Sequence, residues 1–128
     1  MYGAPRFGAA TRYRNVDIGS RVEGASPHRL IAVLFEELDK AIQTTLAALR
    51  QGDVVKRAAR QSRALSILHA LEASLDHEKG GEIAAGLATI YREARRLIVA
   101  GAQEDDPERI EKARDMVGEI AEAWARIG

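Results

Sequence analysis

The run SPHRLIAVLFEELDKAIQTTLAALRQGD, residues 26–53, decides the fold. Ser26 is suited to cap a helix, because its hydroxyl accepts from a backbone N–H that has no partner inside the helix, and Pro27 fits the first helical position, where no donor is needed. Leu30, Leu34, Leu38, Ala41, Thr45 and Leu49 then recur at spacings of three and four, which places them on one face of an α-helix. Gly52 stops the helix, and Asp53 is placed to cap another. The run therefore predicts an amphipathic helix over about 27–51, followed by a two-residue break.

Downstream the same logic repeats. A second helix over about 54–78 buries Val54, Ala58, Leu65, Leu68, Leu71 and Leu75, and Gly80-Gly81 separates it from a third. The third, about 82–100, places Ile83, Leu87, Tyr91, Ala94 and Ile98 on one face and halts at Gly101. Asp106-Pro107 starts a fourth, about 107–127, with Ile110, Ala113, Val117, Ile120, Trp124 and Ile127 along its stripe. Surface pairs at i,i+4, such as Glu36 to Lys40, Glu108 to Lys112 and Glu122 to Arg126, fit helices. Helices of this length joined by breaks of two to six residues must fold back on one another, so the expected architecture is an all-α, antiparallel up-down-up-down four-helix bundle.

Upstream the pattern fails. Residues 1–24 hold five glycines and prolines at Gly3, Pro5, Gly8, Gly19 and Gly24, four arginines, and apolar residues without sustained period. They read as a flexible N-terminal arm, leaving residues 25–128 as the bundle domain.

Composition narrows the function. The 128 residues carry 19 Lys+Arg against 19 Asp+Glu, so the chain lacks the excess of cations needed to cover a phosphate backbone, and nucleic acid is not expected as a partner. The neutrality hides an asymmetry: residues 1–63 carry 11 basic and 6 acidic side chains, residues 64–128 carry 8 and 13. The absence of cysteine removes thiolate metal ligands, thiol nucleophiles and redox pairs. No apolar run reaches the roughly 18 residues of a membrane span, so no membrane insertion is expected, and the chain reads as soluble and unexported.

Candidate chemistry is sparse, and neither an enzyme nor a cofactor is expected. Asp76, His77, Glu78 and Glu82 cluster in sequence, but Gly81 occupies the place of a second helical histidine ligand, so the cluster reads as a turn rather than a metal site. His69, in the middle of a bundle helix, raises the alternative of a histidine phosphotransfer domain of a bacterial relay. The pattern of that family is His-x-Leu-Lys-Gly, whereas this chain has His69-Ala70-Leu71-Glu72-Ala73, with a carboxylate where the phosphate-neutralising lysine belongs. His28 reads as plain surface. Lys56, Arg57, Arg60 and Arg63 form a basic stripe, read as a solvated outer face or as a surface for an acidic partner.

The chain has more apolar residues than four single stripes require. Ile31, Phe35, Val55, Ile67, Ile90, Leu97 and Met116 lie beside the stripes, which makes either a wide core or grooves for amphipathic partner helices.

Several runs together resemble the family of the flagellar secretion chaperone FliS. They are Tyr13, Val22, Ala25-Ser26-Pro27, Leu30-Ile31, Leu34-Phe35, Gly52-Asp53, Leu75-Asp76, Gly80-Gly81-Glu82-Ile83-Ala84, Leu87, Tyr91, Arg96-Leu97 and Ala123-Trp124. Phe35 departs from the usual Tyr, Glu36-Glu37 from an acidic-Gly pair, and Gly86 from a frequent Asn. The resemblance implies a helical bundle that holds the C-terminal segment of unpolymerised flagellin in the cytoplasm until it reaches the flagellar export apparatus. That segment, disordered alone, would fold into short helices along apolar grooves. On this reading the partner-binding candidates are Phe35, Ile67, Leu71 and Tyr91, with Tyr13 as a contact from an arm that covers the groove when it is empty.

Overall fold

The computed structural model describes residues 19–127. They form a single helical turn, α1 (Gly19–Val22), and four long helices: α2 (Pro27–Gln51), α3 (Val54–Ala73), α4 (His77–Gln103) and α5 (Pro107–Arg126). Each long helix starts on a side-chain cap. Ser26 Oγ accepts from Arg29 N at 3.1 Å, Asp53 Oδ1 from Lys56 N at 3.0 Å, Asp76 Oδ1 from Lys79 N at 3.0 Å, and Asp106 Oδ1 from Glu108 N at 3.2 Å. Gly52 closes α2 with φ of 73°, a left-handed conformation that costs glycine little, and its N–H reaches back to the carbonyls of Ala48 and Leu49.

Two expected boundaries move. The break between the second and third helices lies at 74–76 rather than at the glycine pair, because Asp76 caps a new helix instead of continuing the old one. The glycine pair still matters: Gly81, at φ 48° and ψ −123°, interrupts α4 after its first turn. Gly101 is not the stop it was expected to be. It lies inside α4, where a Cβ would come within 2.6 Å of Ile110 Cγ1 and 2.8 Å of the Asp106 carbonyl, so its role is to let α5 approach closely. The reversal itself falls at Asp105, which takes a positive φ of 53°.

The helices pack in a ring, α2 on α3, α3 on α4, α4 on α5 and α5 back on α2. Arg50 at the end of α2 meets Glu111 near the start of α5 at 2.9 Å, and His28 at the start of α2 meets Trp124 near the end of α5, so those two run antiparallel. Leu34, Leu38, Ile42, Ile67, Leu68, Leu71, Ile98 and Ile110 fill the centre, fully buried. Thr45 is buried among them with its hydroxyl donating to the Ala41 carbonyl at 2.7 Å. Ile67 and Leu97, which lay beside the sequence stripes, are also core, so the wide-core reading accounts for part of the apolar surplus.

Some stripe positions are not buried. Val54 and Ala58 are exposed because the first turns of α3 contribute nothing to the core, whose α3 members begin at Ala64. Ile83 and Ile127 also face outward. The expected Glu36 to Lys40 pair does not form. Glu36 binds Arg21 at 2.6 Å and Arg29 at 3.3 Å, while Glu37 binds Arg21, Arg63 and Lys40. These ties hold α1 against α2. No described helix is long and apolar enough to cross a membrane.

Candidate functional site

At one end of the ring, α2, α4 and α5 leave a groove of about 410 Å³. Ile31 and Phe35 supply its wall from α2, Leu87 and Tyr91 from α4, and Ile120 and Trp124 from α5. Ile31 and Phe35 are one helical turn apart, as are Leu87 and Tyr91 and as are Ile120 and Trp124, so each helix offers two adjacent side chains on one face. The segment from Ser74 to Gly80 forms the rim, adding Leu75, Asp76 and Lys79. Gly81 makes this rim possible, since its non-helical backbone turns the preceding residues away from the axis of α4. Ile83, just beyond the bend, is 76% exposed at the mouth.

The α5 wall is fixed by a reciprocal clamp. Trp124 Nε1 donates to the His28 carbonyl at 2.9 Å, and His28 Nε2 donates to the Trp124 carbonyl at 2.8 Å, which sets the tautomer with hydrogen on Nε2. The rings stack with centroids 4.7 Å apart and planes 9° from parallel. His28 therefore braces the Trp124 wall of the groove, and is not the plain surface residue the sequence suggested. Tyr91, on the α4 wall, has its phenol pushed up to about 12 by burial, so it stays neutral and keeps its O–H as a donor across the physiological range.

A second depression of about 580 Å³ shares Phe35 and Trp124 with the groove. Its remaining lining includes Glu36, Asp39, Lys40 and Gln43, so it offers less to an apolar side chain. A third, between α3 and α4, places His69 beside Arg95 and Arg96 on an open surface. Among the described residues, no group of three or more His, Asp or Glu side chains is placed to hold a metal ion.

The structure brings two of the sequence candidates together and separates the rest. Phe35 and Tyr91 both line the groove while belonging to the buried core, 6% and 3% exposed. Ile67 and Leu71, at 0% and 1%, lie one turn apart on the inner face of α3 and line none of these depressions, so they support the bundle from within. Tyr13 lies outside the described residues. Sequence reasoning missed Trp124, Leu87 and Ile120 as groove residues because each also fits a core stripe. The available signal was Trp124 itself, the sole tryptophan of the sequence and a bulky half-polar residue.

The model of the family Flagellar protein FliS matches residues 9–128. The chain belongs to the FliS family. Among curated relatives, the flagellar secretion chaperone FliS of Salmonella typhimurium is 39% identical over 116 residues, covering 90% of this chain and 86% of that protein. The Vibrio cholerae protein of the same name is 28% identical over 120 residues, covering 94% and 88%. The one from Campylobacter jejuni is 29% identical over 102 residues, covering 80% of each. The family match thus spans every residue that builds the groove, from Ile31 to Trp124.

Proposed function

We propose that this protein is a flagellar secretion chaperone, acting without catalysis in the bacterial cytosol, and that its groove receives the C-terminal segment of flagellin before export. The chaperone role rests on family membership and on relatives named for it. The observation that carries the binding mode is the open apolar groove walled by Ile31, Phe35, Leu87, Tyr91, Ile120 and Trp124. An apolar groove between helices suits the apolar side chains of an amphipathic helix, spaced three and four apart. A segment disordered alone gives up part of the interaction energy to order itself, so the complex stays releasable at the export apparatus. Burying the segment also withholds it from premature filament assembly. Of the contacts expected from the sequence, Phe35 and Tyr91 line this groove, and Trp124 and Ile83 join them as proposed contacts. Tyr13 is proposed as the arm residue that occupies the groove in the free chaperone.

The phosphotransfer alternative on His69 has less support. Glu72, where that chemistry wants a lysine, is engaged by Arg92 and Arg95 at 2.8 and 2.7 Å.

The test is calorimetric titration with a peptide covering the last forty or so residues of flagellin from the same organism. Binding with a large negative heat-capacity change and a gain of helical circular dichroism is the expected result. Ile83→Glu, at a position that is mostly exposed, should weaken that binding about tenfold or more while the melting temperature stays put. An intact peptide that gives neither heat nor helix overturns the proposal.

A further inference from the structure

Five of the side chains that line the groove carry polar atoms: Ser74, Asp76, Lys79, Tyr91 and Trp124. Three of them are already committed. The Ser74 hydroxyl donates to the Leu71 carbonyl at 2.7 Å, Asp76 Oδ1 accepts from Lys79 N at 3.0 Å, and Trp124 Nε1 donates to the His28 carbonyl. The ammonium of Lys79 is exposed on the rim, where water serves it and one more contact adds little. Tyr91 is different. It is 3% exposed, burial alone pushes its phenol up to about 12, and no described residue hydrogen-bonds its hydroxyl. Among the described residues, Arg95 Nη1 is the one fully enclosed side-chain nitrogen or oxygen without a partner. The Tyr91 hydroxyl therefore keeps a narrow access to water, and the cavity that Tyr91 lines is this groove. A guest that fills the groove removes that water. The other wall side chains, Ile31, Phe35, Leu87 and Ile120, hold no acceptor to replace it.

We infer that Tyr91 is a specificity-determining residue of the groove: its hydroxyl selects guest segments that carry one neutral hydrogen-bond acceptor, a Ser, Thr, Asn or Gln side chain, within their apolar face. This rests on the proposed use of the groove for flagellin. The acceptor is neutral because a carboxylate would have to give up its water in surroundings that already disfavour a phenolate, and a single hydrogen bond does not recover that loss. Its place in the guest follows from α4. Leu87 and Tyr91 stand one turn apart, about 6 Å along the axis, so a guest helix running alongside carries the acceptor three or four positions from the apolar side chain seated on Leu87. A wholly apolar guest would bury the O–H unpaired. That is the stronger kind of discrimination, since a site that hydrogen-bonds its guest rejects the analogue lacking the group.

The test is calorimetric titration of the full chain and of Tyr91→Phe with the flagellin peptide and a set of its variants. Each variant changes one polar side chain to an apolar one of similar size: serine to alanine, threonine to valine, asparagine to leucine or glutamine to methionine. Against wild type, one of these changes should weaken binding about tenfold or more. Tyr91→Phe should weaken the unmodified peptide by a similar factor. With that one variant peptide it should recover most of the affinity rather than lose another tenfold, because both changes remove the same hydrogen bond. Free Tyr91→Phe should melt at or above the wild-type temperature, since the hydroxyl has no partner in the chain to lose. A peptide that binds wild type and Tyr91→Phe equally overturns the inference and leaves the groove's proposed use standing. So does a variant set in which no change weakens wild type more than it weakens Tyr91→Phe, or a Tyr91→Phe chain that melts several degrees early. An unmodified peptide that does not bind wild type at all overturns both.

Discussion

Trp124 does three things at once: it walls the groove, stacks on His28 and donates to the His28 carbonyl. These roles separate by substitution. Trp124→Phe keeps an aromatic ring of reduced size but strips the N–H, leaving the carbonyl at the first turn of α2 without this donor. A loss of about 1 kcal/mol in denaturant unfolding is expected from the hydrogen bond alone. His28→Ala should cost a similar amount, and the double variant less than the sum, because both substitutions break the same clamp. Additive losses would show that the two side chains act independently. The sequence pointed to Trp124 as a stripe residue and to His28 as surface. Neither assignment was unreasonable, because the clamp joins positions 96 apart and is visible only once α2 and α5 are side by side.

At the scale of elements, the caps were legible and the charge pairing was not. Ser26-Pro27, Asp53 and Asp106-Pro107 are local signals that act within one turn, so they marked the starts of α2, α3 and α5 correctly. Asp76 was passed over because the glycine pair after it is the louder punctuation. Ion pairs across elements have no sequence spacing to betray them. Glu72 on α3 illustrates this, lying between Arg92 and Arg95 of α4. Partial burial pushes its carboxyl up, but the hydrogen bonds and charges of Arg95 and Arg92 outweigh that and hold it below the ordinary 4.5. A carboxyl depressed in the folded state stabilises the fold fully above its unfolded value, and that contribution is lost as pH falls below it toward the folded value. Urea midpoints measured from pH 7 down to about 3 should therefore fall less steeply below about pH 4.5 in Glu72→Gln than in wild type. The same sign holds for Glu36 and Glu37, so the attachment of α1 should also weaken in acid. Parallel curves for wild type and Glu72→Gln would mean that the α3–α4 pairing contributes nothing to stability.

The described residues form a ring of four long helices closed by contact between its first and last members, and that closure also makes the groove. Bundle architecture was legible because periodicity and short breaks leave few alternatives. The groove was not, because a residue such as Phe35 carries the same periodic signature whether it faces a neighbouring helix or an empty cleft. Ring closure has a measurable consequence. The tryptophan at the closing contact is the chain's sole tryptophan, so its emission reports α2 against α5, while far-UV circular dichroism reports all helices together. If the ring is one cooperative unit, thermal and denaturant transitions followed by the two probes should coincide. If the end of α5 peels away first, the tryptophan emission should shift to the red at lower denaturant than the loss of helix. The core favours coincidence, since Ile110, Ala113 and Val117 anchor α5 in the same cluster as Leu34, Leu38 and Ile42 of α2. Flagellin peptide in the groove should then shift the emission to the blue as water leaves the indole, and move both transitions upward together by mass action. A stabilising peptide that leaves the emission unchanged would place its binding elsewhere on the molecule.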